Sequence, residues 1–157
     1  MRHTDKSGFS LIELLIVVAI ILIIAAIAIP NLVKSKMSAN ESSAVGSLHT
    51  LNTALVSYNS DYSVGYPPAL SDLGPSTLPS SAAADLVDGV LVTGTKSGYV
   101  FTYTPGPLLG NGQITTYSVT ASPITQGVTG QRNFFTDQTF VIRVNLTVAA
   151  SSSDQPL

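Results

Sequence analysis

The sequence predicts an α+β fold, a long N-terminal α-helix packed on a small antiparallel β-sheet. An unbroken apolar run lies near the N-terminus, and an amphipathic stretch with one apolar stripe follows it. Short alternating segments separated by Gly, Pro and Asn occupy the C-terminal half. The predicted segments are a leader over 1–8, an apolar helix over 9–30, an amphipathic helix over 31–64, loops and sheet over 65–148, and a flexible tail over 149–157.

The composition excludes several kinds of site and partner. Only 10% of the 157 residues are charged and the net charge is -2, so without a basic cluster nothing indicates nucleic-acid binding. The chain contains no Cys, which excludes disulfides, thiolate metal sites and cysteine nucleophiles. It shows no catalytic Ser/His/Asp arrangement, phosphate-binding loop or paired catalytic carboxylates. We therefore predict that the protein is not an enzyme.

The N-terminal apolar run is long enough to cross a bilayer. Residues 14–29 are all Ala, Val, Ile or Leu, and a helix over 9–29 would span ~30 Å. The preceding residues 1–8 include Arg2 and Lys6 and are weakly positive. By the positive-inside rule the N-terminus is predicted to be cytoplasmic. The segment is therefore expected to span a membrane, at least transiently.

Two ordinary interpretations of this segment leave features unexplained. A secretory signal peptide fits the small residues at 26–28, but the apolar stretch exceeds the usual length of such a region. A plain single-pass anchor fits the length but not Glu13, since a carboxylate at the centre of such a helix costs roughly 2.5–3.5 kcal/mol. An ionisable residue inside a membrane segment indicates a functional site.

Residues 6–13, Lys-Ser-Gly-Phe-Ser-Leu-Ile-Glu, resemble the class III signal of type IV pilins and pseudopilins. In that family a membrane peptidase cuts after the Gly and methylates the new N-terminal residue. The resemblance implies cleavage between Gly8 and Phe9 and N-methylation of Phe9. The family also places a Glu four residues after the new N-terminus and often a helix-bending Pro further along, and Glu13 and Pro30 match these positions.

The resemblance implies a structural subunit of a type IV pilus-like or pseudopilus filament, used in pilus assembly or type II protein secretion. The implied partners are further copies in a helical filament, the prepilin peptidase/methyltransferase, an inner-membrane assembly platform, and membrane lipid before assembly. The implied location is the bacterial inner membrane, with a periplasmic head, and then the periplasm or cell surface. One alternative stays open, a non-polymerising membrane-anchored periplasmic binding module.

The chemistry of Glu13 agrees with an assembly role. Cleavage would free an ammonium on Phe9, and pairing it with Glu13 of a neighbouring subunit would neutralise two charges that are costly in lipid. Removing one partner of such a desolvated pair costs roughly 3–5 kcal/mol. The alternative is that Glu13 only reaches the headgroups from near the start of the helix. We predict Phe9 and Glu13 to be assembly residues.

Beyond Pro30 the helix becomes amphipathic. The apolar stripe consists of Val45, Leu48, Leu51, Leu55, Tyr58 and Tyr62. Pro30 removes one intrahelical hydrogen bond and is predicted to kink or locally melt the helix, whereas the prolines at 67–68 end it. A helix over 9–62 would be about 80 Å long, so its apolar half needs lipid or other copies to cover it.

The C-terminal half is predicted to hold short helical turns and an antiparallel meander. The expected turns are 70–73 and 82–87, and the expected strands are 99–104, 115–121 and 139–148. The Ser/Thr-rich end is predicted to be frayed.

No cofactor is predicted. Major pseudopilins often bind calcium in a C-terminal loop, and here Asp137 is the only acid near such a loop, with Asn133 and Gln138 as weak helpers. Calcium prefers six to eight oxygens with several carboxylates. An Asx-type turn at Asp137 is therefore the favoured interpretation.

Overall fold

The computed structural model describes residues 9–157, so the predicted leader lies outside the described residues. The chain divides into two compact units, Met1–Ser35 and Lys36–Leu157. The second unit is called the head below. It holds the β-sheet and most of the buried side chains.

Helix α1 spans Leu11–Tyr62 and confirms the predicted long N-terminal helix. Its first part is continuously apolar, and a helix is the one open-chain structure that pairs its own backbone groups in lipid. The helix continues through Pro30. It ends where Ser63 and Gly65 take left-handed backbone conformations, with φ of 54° and 85°.

The part of α1 that belongs to the head buries the predicted apolar stripe. Leu48, Leu51 and Leu55 are fully buried and Tyr58 is nearly so. The two ends of the stripe, Val45 and Tyr62, are half-buried and pack against the same core. The stripe is therefore confirmed.

The head contains one six-stranded antiparallel sheet in which each strand pairs with the next along the chain. The strands are β1 Thr95–Lys96, β2 Tyr99–Pro105, β3 Tyr117–Pro123, β4 Asn133–Asp137, β5 Arg143–Asn145 and β6 Gln155–Pro156. The longest pairing joins β2 to β3, from Tyr99 opposite Pro123 to Pro105 opposite Tyr117. The predicted meander is confirmed, whereas the two outermost strands have only two residues each.

The core lies between α1 and one face of this sheet. The sheet contributes Tyr99, Phe101, Tyr117, Val119, Ala121 and Phe134. A buried polar bridge crosses the same interface, because Asn52 Nδ2 donates to Thr136 Oγ1 at 3.0 Å and Tyr117 Oη donates to Asn52 Oδ1 at 3.0 Å. Since unpaired buried polar groups are costly, this bridge favours one register of helix on sheet.

The predicted strand over 139–148 is wrong. The structure has β4 before it and only the short β5 within it. Asp137 Oδ1 accepts the backbone N–H of Thr139 at 2.9 Å, and Phe140 has a φ of 63°, so the chain turns where the alternation suggested a strand. Strand β4 escaped prediction because it buries Asn133 and Phe134 in succession and so lacks alternation. The second predicted strand is shifted by two residues, to Tyr117–Pro123.

The predicted helical turn over 82–87 does not form. The backbone N–H groups of Ala84 and Leu86 donate to the carbonyls of Asp72 and Leu73 at 2.8 and 3.0 Å, which leaves no local helical pairing. A short helix α2 follows instead over Gly89–Val92, capped by Asp88. The predicted turn at Leu70–Leu73 is confirmed as a 3-10 helix.

The C-terminal tail was expected to be flexible and frayed, but its end is paired. Gln155–Pro156 form β6 against β5. Asp154 holds the preceding turn, because its carboxylate accepts the N–H of Ser151 at 2.7 Å and the side-chain amide of Asn145 at 2.8 Å. These bonds hold the pKa of Asp154 below its ordinary value.

Candidate assembly site

The apolar part of α1 has no protein cover in this chain. Within residues 9–33 the side chains are exposed except that of Ala25, which is half-buried. Phe9 is 86% exposed, and even the most covered large apolar side chain, Val33, is 40% exposed. Among the described residues, α1 is the one helix long and apolar enough to cross a bilayer. Such a surface requires lipid or protein to cover it.

The glutamate half of a capping box, together with a Ser10 side-chain cap on Ile12, closes the N-terminus of α1. Glu13 Oε2 accepts the backbone N–H of Ser10 at 2.9 Å, and Ser10 Oγ lies 3.4 Å from the backbone N of Ile12. The pair satisfies helix-end N–H groups that have no intrahelical partner, which matters most where water is absent. The role of Ser10 is absent from the sequence-based predictions, although the Ser-x-x-Glu spacing is the known signature of a capping box.

Glu13 retains capacity for a second partner. Its Oε1 atom makes no hydrogen bond to any described residue, and a carboxylate can accept several. Residues 9–33 contain no Lys, Arg or His. A cation that pairs with Glu13 must therefore come from outside this segment.

The roles of the other site residues, Gly8, Phe9 and Pro30, stay predictions. Gly8 is outside the described residues, and Phe9 precedes α1 in non-helical backbone. Pro30 lies inside α1, where the side-chain amide of Asn31 donates to the carbonyl of Ile27 at 3.1 Å.

An ion pair with a buried carboxylate and a half-exposed arginine joins the part of α1 in the head to the loop between β3 and β4. Glu41 is 8% exposed, and its Oε1 accepts the backbone N–H groups of Gln131 and Arg132 at 2.8 and 3.1 Å. Its Oε2 accepts Arg132 Nε at 2.8 Å. Burial by itself raises the pKa of Glu41, but these bonds and the guanidinium charge outweigh it and hold the pKa below its ordinary value.

The same loop is fixed from three further sides. Asn40 Nδ2 donates to the carbonyl of Thr129 at 2.8 Å, and Tyr99 Oη donates to that of Arg132 at 2.8 Å. The guanidinium of Arg132 lies 5.5 Å from the ring centre of Phe134. Chiefly through burial, the pKa of Tyr99 rises to about 12. Sequence reasoning missed these contacts, because nothing local links residues 91 positions apart.

Asp137 forms a turn with Thr139. Its Oδ1 accepts the N–H and the hydroxyl of Thr139, which confirms the predicted Asx turn. Asn133 is buried in β4. Nowhere in residues 9–157 do three or more His, Cys, Asp or Glu side chains come close enough to hold a metal ion.

Comparison with known proteins gives one family match and several partial relatives. The model of the prokaryotic N-terminal methylation motif matches residues 4–29. The chain is 40% identical over 62 residues to the type II secretion system core protein G of Escherichia coli (strain K12), which covers 39% of this chain and 43% of that protein. It is 36% identical over 61 residues to core protein G of Aeromonas hydrophila, which covers 39% and 43% of the two chains.

A pilin is also among the relatives. The chain is 54% identical over 54 residues to the type IV major pilin protein PilA of Myxococcus xanthus (strain DK1622), which covers 34% of this chain and 24% of that protein. The chain thus spans less than half the length of the curated relatives it matches. No solved structure matches it.

These matches agree with the apolar N-terminal half of α1 and with a helix packed on an antiparallel sheet. The N-terminal part of this chain is therefore similar to that of type II secretion core proteins G and of a type IV major pilin, and it carries the prokaryotic N-terminal methylation motif.

Proposed function

We propose that the chain is a subunit of a type IV pilus-like or pseudopilus filament that polymerises through its N-terminal helix. The observation that carries this proposal is the uncovered apolar surface of residues 9–33, with Glu13 as its single carboxylate. Lipid covers that surface before assembly, and other copies of the same helix cover it in the filament. The relatives named for type IV pili and type II secretion support this use.

Processing precedes assembly in this scheme. Prepilin peptidase cuts between Gly8 and Phe9, and the new amino group of Phe9 is methylated. The family match across residues 4–29 supports this step, since it includes both sides of the cleaved bond. The non-helical backbone at Phe9 also favours access by a peptidase.

Before assembly the subunit is stored in the bacterial inner membrane. Its N-terminus is cytoplasmic and its head is periplasmic, because Arg2 and Lys6 precede the apolar segment. An inner-membrane assembly platform then extracts the subunit into a periplasmic pseudopilus or a surface pilus.

Glu13 acts in assembly through the oxygen that its capping box leaves unused. Oε2 caps α1 of its own chain, while Oε1 accepts the Phe9 ammonium of a neighbouring subunit. Both charges leave water together, so each compensates the desolvation of the other. No rearrangement of the helix end is needed, because the two oxygens serve different partners.

Substitutions at Glu13 test this proposal. Glu13→Ala removes the charge, so membrane insertion should improve, by less than the roughly 2.5–3.5 kcal/mol that a charge costs at the centre of a spanning helix, because Glu13 lies in the first turn of α1. Assembly should fail, because the neighbour's ammonium loses its partner. We expect processed Glu13→Ala protein to accumulate in the inner membrane and to be absent from sheared filaments. Immunoblots of the membrane fraction and of the sheared filament fraction compare the amounts of wild-type and Glu13→Ala protein in each.

A pair of control variants separates the cap from the intersubunit pair. Glu13→Gln keeps an oxygen that can accept the Ser10 N–H but carries no charge, whereas Ser10→Ala weakens the cap and leaves the charge. We expect Glu13→Gln to block filaments and Ser10→Ala to permit them. Filaments of normal yield from Glu13→Gln would contradict the ion-pair mechanism, and a membrane-anchored binding module would tolerate all three changes.

A further inference from the structure

We propose that the heads of two copies of this chain meet end to end, with Lys36 of one copy paired to Asp61 of the next. Lys36 is the first residue of the head, and Asp61 is the last but one residue of α1. The two charges therefore lie at opposite ends of the head's part of the helix. The inference rests on the proposed filament, and it adds a contact between heads to the pairing of Glu13.

Asp61 lies where α1 itself disfavours a negative charge. The C-terminal end of a helix is the negative pole of the helix dipole, so a cation in the last turn stabilises the helix and a carboxylate there destabilises it. The last turn of α1 contains no basic residue. Asp61 is exposed, and no cation of residues 9–157 lies within ion-pair distance of it. A charge that destabilises its own helix and has no partner within the chain indicates a partner outside it.

Two further carboxylates, Asp72 and Asp85, lie near Asp61, and the three together are called the aspartate end below. Burial and then the charge of Asp72 raise the pKa of Tyr58, which lies one helical turn before Asp61. The carbonyl of Asp72 accepts the N–H of Ala84 at 2.8 Å, and this bond places Asp85 beside it.

The aspartate end has no cation of its own. Residues 50–95 contain four Asp and no Lys, Arg or His. Of these four, only Asp88 has a cation within ion-pair distance among residues 9–157. The carboxylates also form no cluster that could hold a metal ion within the described part of the chain. A side-chain cation of another copy is therefore the partner that suits this end.

Three cations of the head lie at its other end. Arg132 contacts the early part of the head's helix through its pair with Glu41, and the residue after Lys96 accepts a hydrogen bond from the Ser43 hydroxyl at 2.9 Å. Arg132 and Lys96 both have carboxylate partners within the chain. Lys36 is exposed and has none among residues 9–157. Lys36 is therefore the cation of this end that is available to a second copy.

The spacing of the two charges determines how two copies can meet. Asp61 follows Lys36 by 25 helical positions, which is about 38 Å, so a chain cannot pair its own two ends. A second copy in the same orientation, shifted by that length along the helix, brings its Lys36 to Asp61 of the first. Such a contact joins two different surfaces and leaves one of each free, so it continues from copy to copy as a filament requires. Two like ends repel each other, which disfavours the inverted arrangement.

Charge exchange in the full chain tests the contact. Lys36→Glu and Asp61→Lys each place like charges opposite one another, whereas the double variant restores an opposite pair with the signs reversed. We expect severalfold fewer sheared filaments from each single variant and the wild-type yield from the double variant. Thr102→Glu adds a charge at an exposed position of β2 and is the control, with an expected normal yield.

Asp61→Lys also separates assembly from folding. A lysine in the last turn suits the helix dipole, so urea unfolding should show a head at least as stable as the wild type. A loss of filaments from this variant then has its cause in the contact between copies and not in an unfolded head.

Cross-linking tests the proximity of the two ends, because the chain contains no Cys. Ala39→Cys lies one turn from Lys36 and Ser60→Cys lies next to Asp61, and both positions are exposed. Within one chain they are about 32 Å apart along the helix, so a short bismaleimide can join them only between two copies. We expect filaments of the double-cysteine chain to give a ladder of covalent multimers, and each single-cysteine chain to give none.

The outcomes distinguish this inference from the proposed function. Normal filament yield from Lys36→Glu and Asp61→Lys, failure of the double variant to recover, or filaments without a cross-linked ladder would overturn the contact and leave the filament intact. An equal decrease in Thr102→Glu would also overturn it, since any added charge would then have the same effect. Absence of filaments from the wild-type chain would overturn the proposed function itself.

Discussion

At the scale of single residues, the two ion pairs of the head differ in what they contribute. Asp88 Oδ2 and Lys96 Nζ are 3.0 Å apart, but their side chains are 51% and 33% exposed. Exposed pairs of this kind contribute about 0–1 kcal/mol. Glu41 is nearly buried and accepts three hydrogen bonds, so its loss would leave two backbone N–H groups and a guanidinium without their acceptor. We therefore expect the stability of the head to depend on Glu41.

Glu41→Gln tests this expectation. The change removes the charge and turns one acceptor into a donor that faces Arg132, so the free energy of unfolding should fall by about 1–3 kcal/mol at neutral pH. Because the pKa of Glu41 is lowered in the folded chain, its contribution is present above the ordinary carboxyl pKa and is lost as the pH falls below it. The wild type and the variant should therefore converge in acid.

Urea unfolding of the full chain in detergent, followed by the near-ultraviolet dichroism of its tyrosines, measures both effects. Asp88→Asn is the matched control, because asparagine keeps the cap on Leu91 N and removes only the exposed pair. The free energy of unfolding of Asp88→Asn should fall by less than about 1 kcal/mol. Equal decreases in the free energy of unfolding of the two variants would show that the bonds of Glu41 stabilise the head no more than an exposed ion pair does.

At the scale of elements, we predict that Pro30 makes α1 flexible at one point. A proline leaves the carbonyl four residues earlier without its intrahelical donor, and here that carbonyl belongs to Ala26. Pro30→Ala restores the missing N–H. We expect slower amide hydrogen exchange over residues 26–34 in the full chain in micelles, because opening of that turn would then break one more bond. Unchanged exchange there would contradict Pro30 as the flexible point of α1.

Elements were predictable where one physical cause governed the local pattern. The stripe from Leu48 to Tyr58 follows the helical period because one face packs on the sheet. Strand β4 buries consecutive residues, and the turn at Phe140 depends on the side chain of Asp137, so neither leaves a periodic signal. The Glu41–Arg132 pair was beyond local reasoning, since it exists only after β3 and β4 have formed. In the assembly site, Glu13 was predictable because it is a charged residue in an apolar segment. The role of Ser10 was predictable only from the Ser-x-x-Glu spacing of a helix cap.

At the scale of the whole molecule, the proposed cleavage after Gly8 would decide whether the chain can leave the membrane. We predict that Gly8→Val blocks cleavage, because a peptidase active site at the membrane surface needs an extended and unhindered backbone, which glycine provides. The full 157-residue form should then persist in the membrane fraction. Gel mobility and mass spectrometry of the N-terminus distinguish it from methylated, processed protein.

Gly46→Val provides the matched control for this change. Gly46 is exposed on α1, and a Cβ atom added there meets nothing within 4 Å, so the variant should be processed normally. Normal cleavage of Gly8→Val would overturn the assignment of the processing site. Failure of both variants would point to impaired insertion and not to the cleaved bond.

The two-residue strands at the two edges of the sheet limit strand addition between neighbouring heads. An open strand edge invites pairing with another chain, and heads repeated along a filament would meet at very high local concentration. β1 and β6 offer only Thr95–Lys96 and Gln155–Pro156 as such edges, with a lysine in one and a proline in the other. Lysine charge and the missing N–H of proline both discourage strand addition. In the proposed filament, heads built this way would stand next to one another without fusing into an amyloid-like ribbon, and the filament would stay free to disassemble.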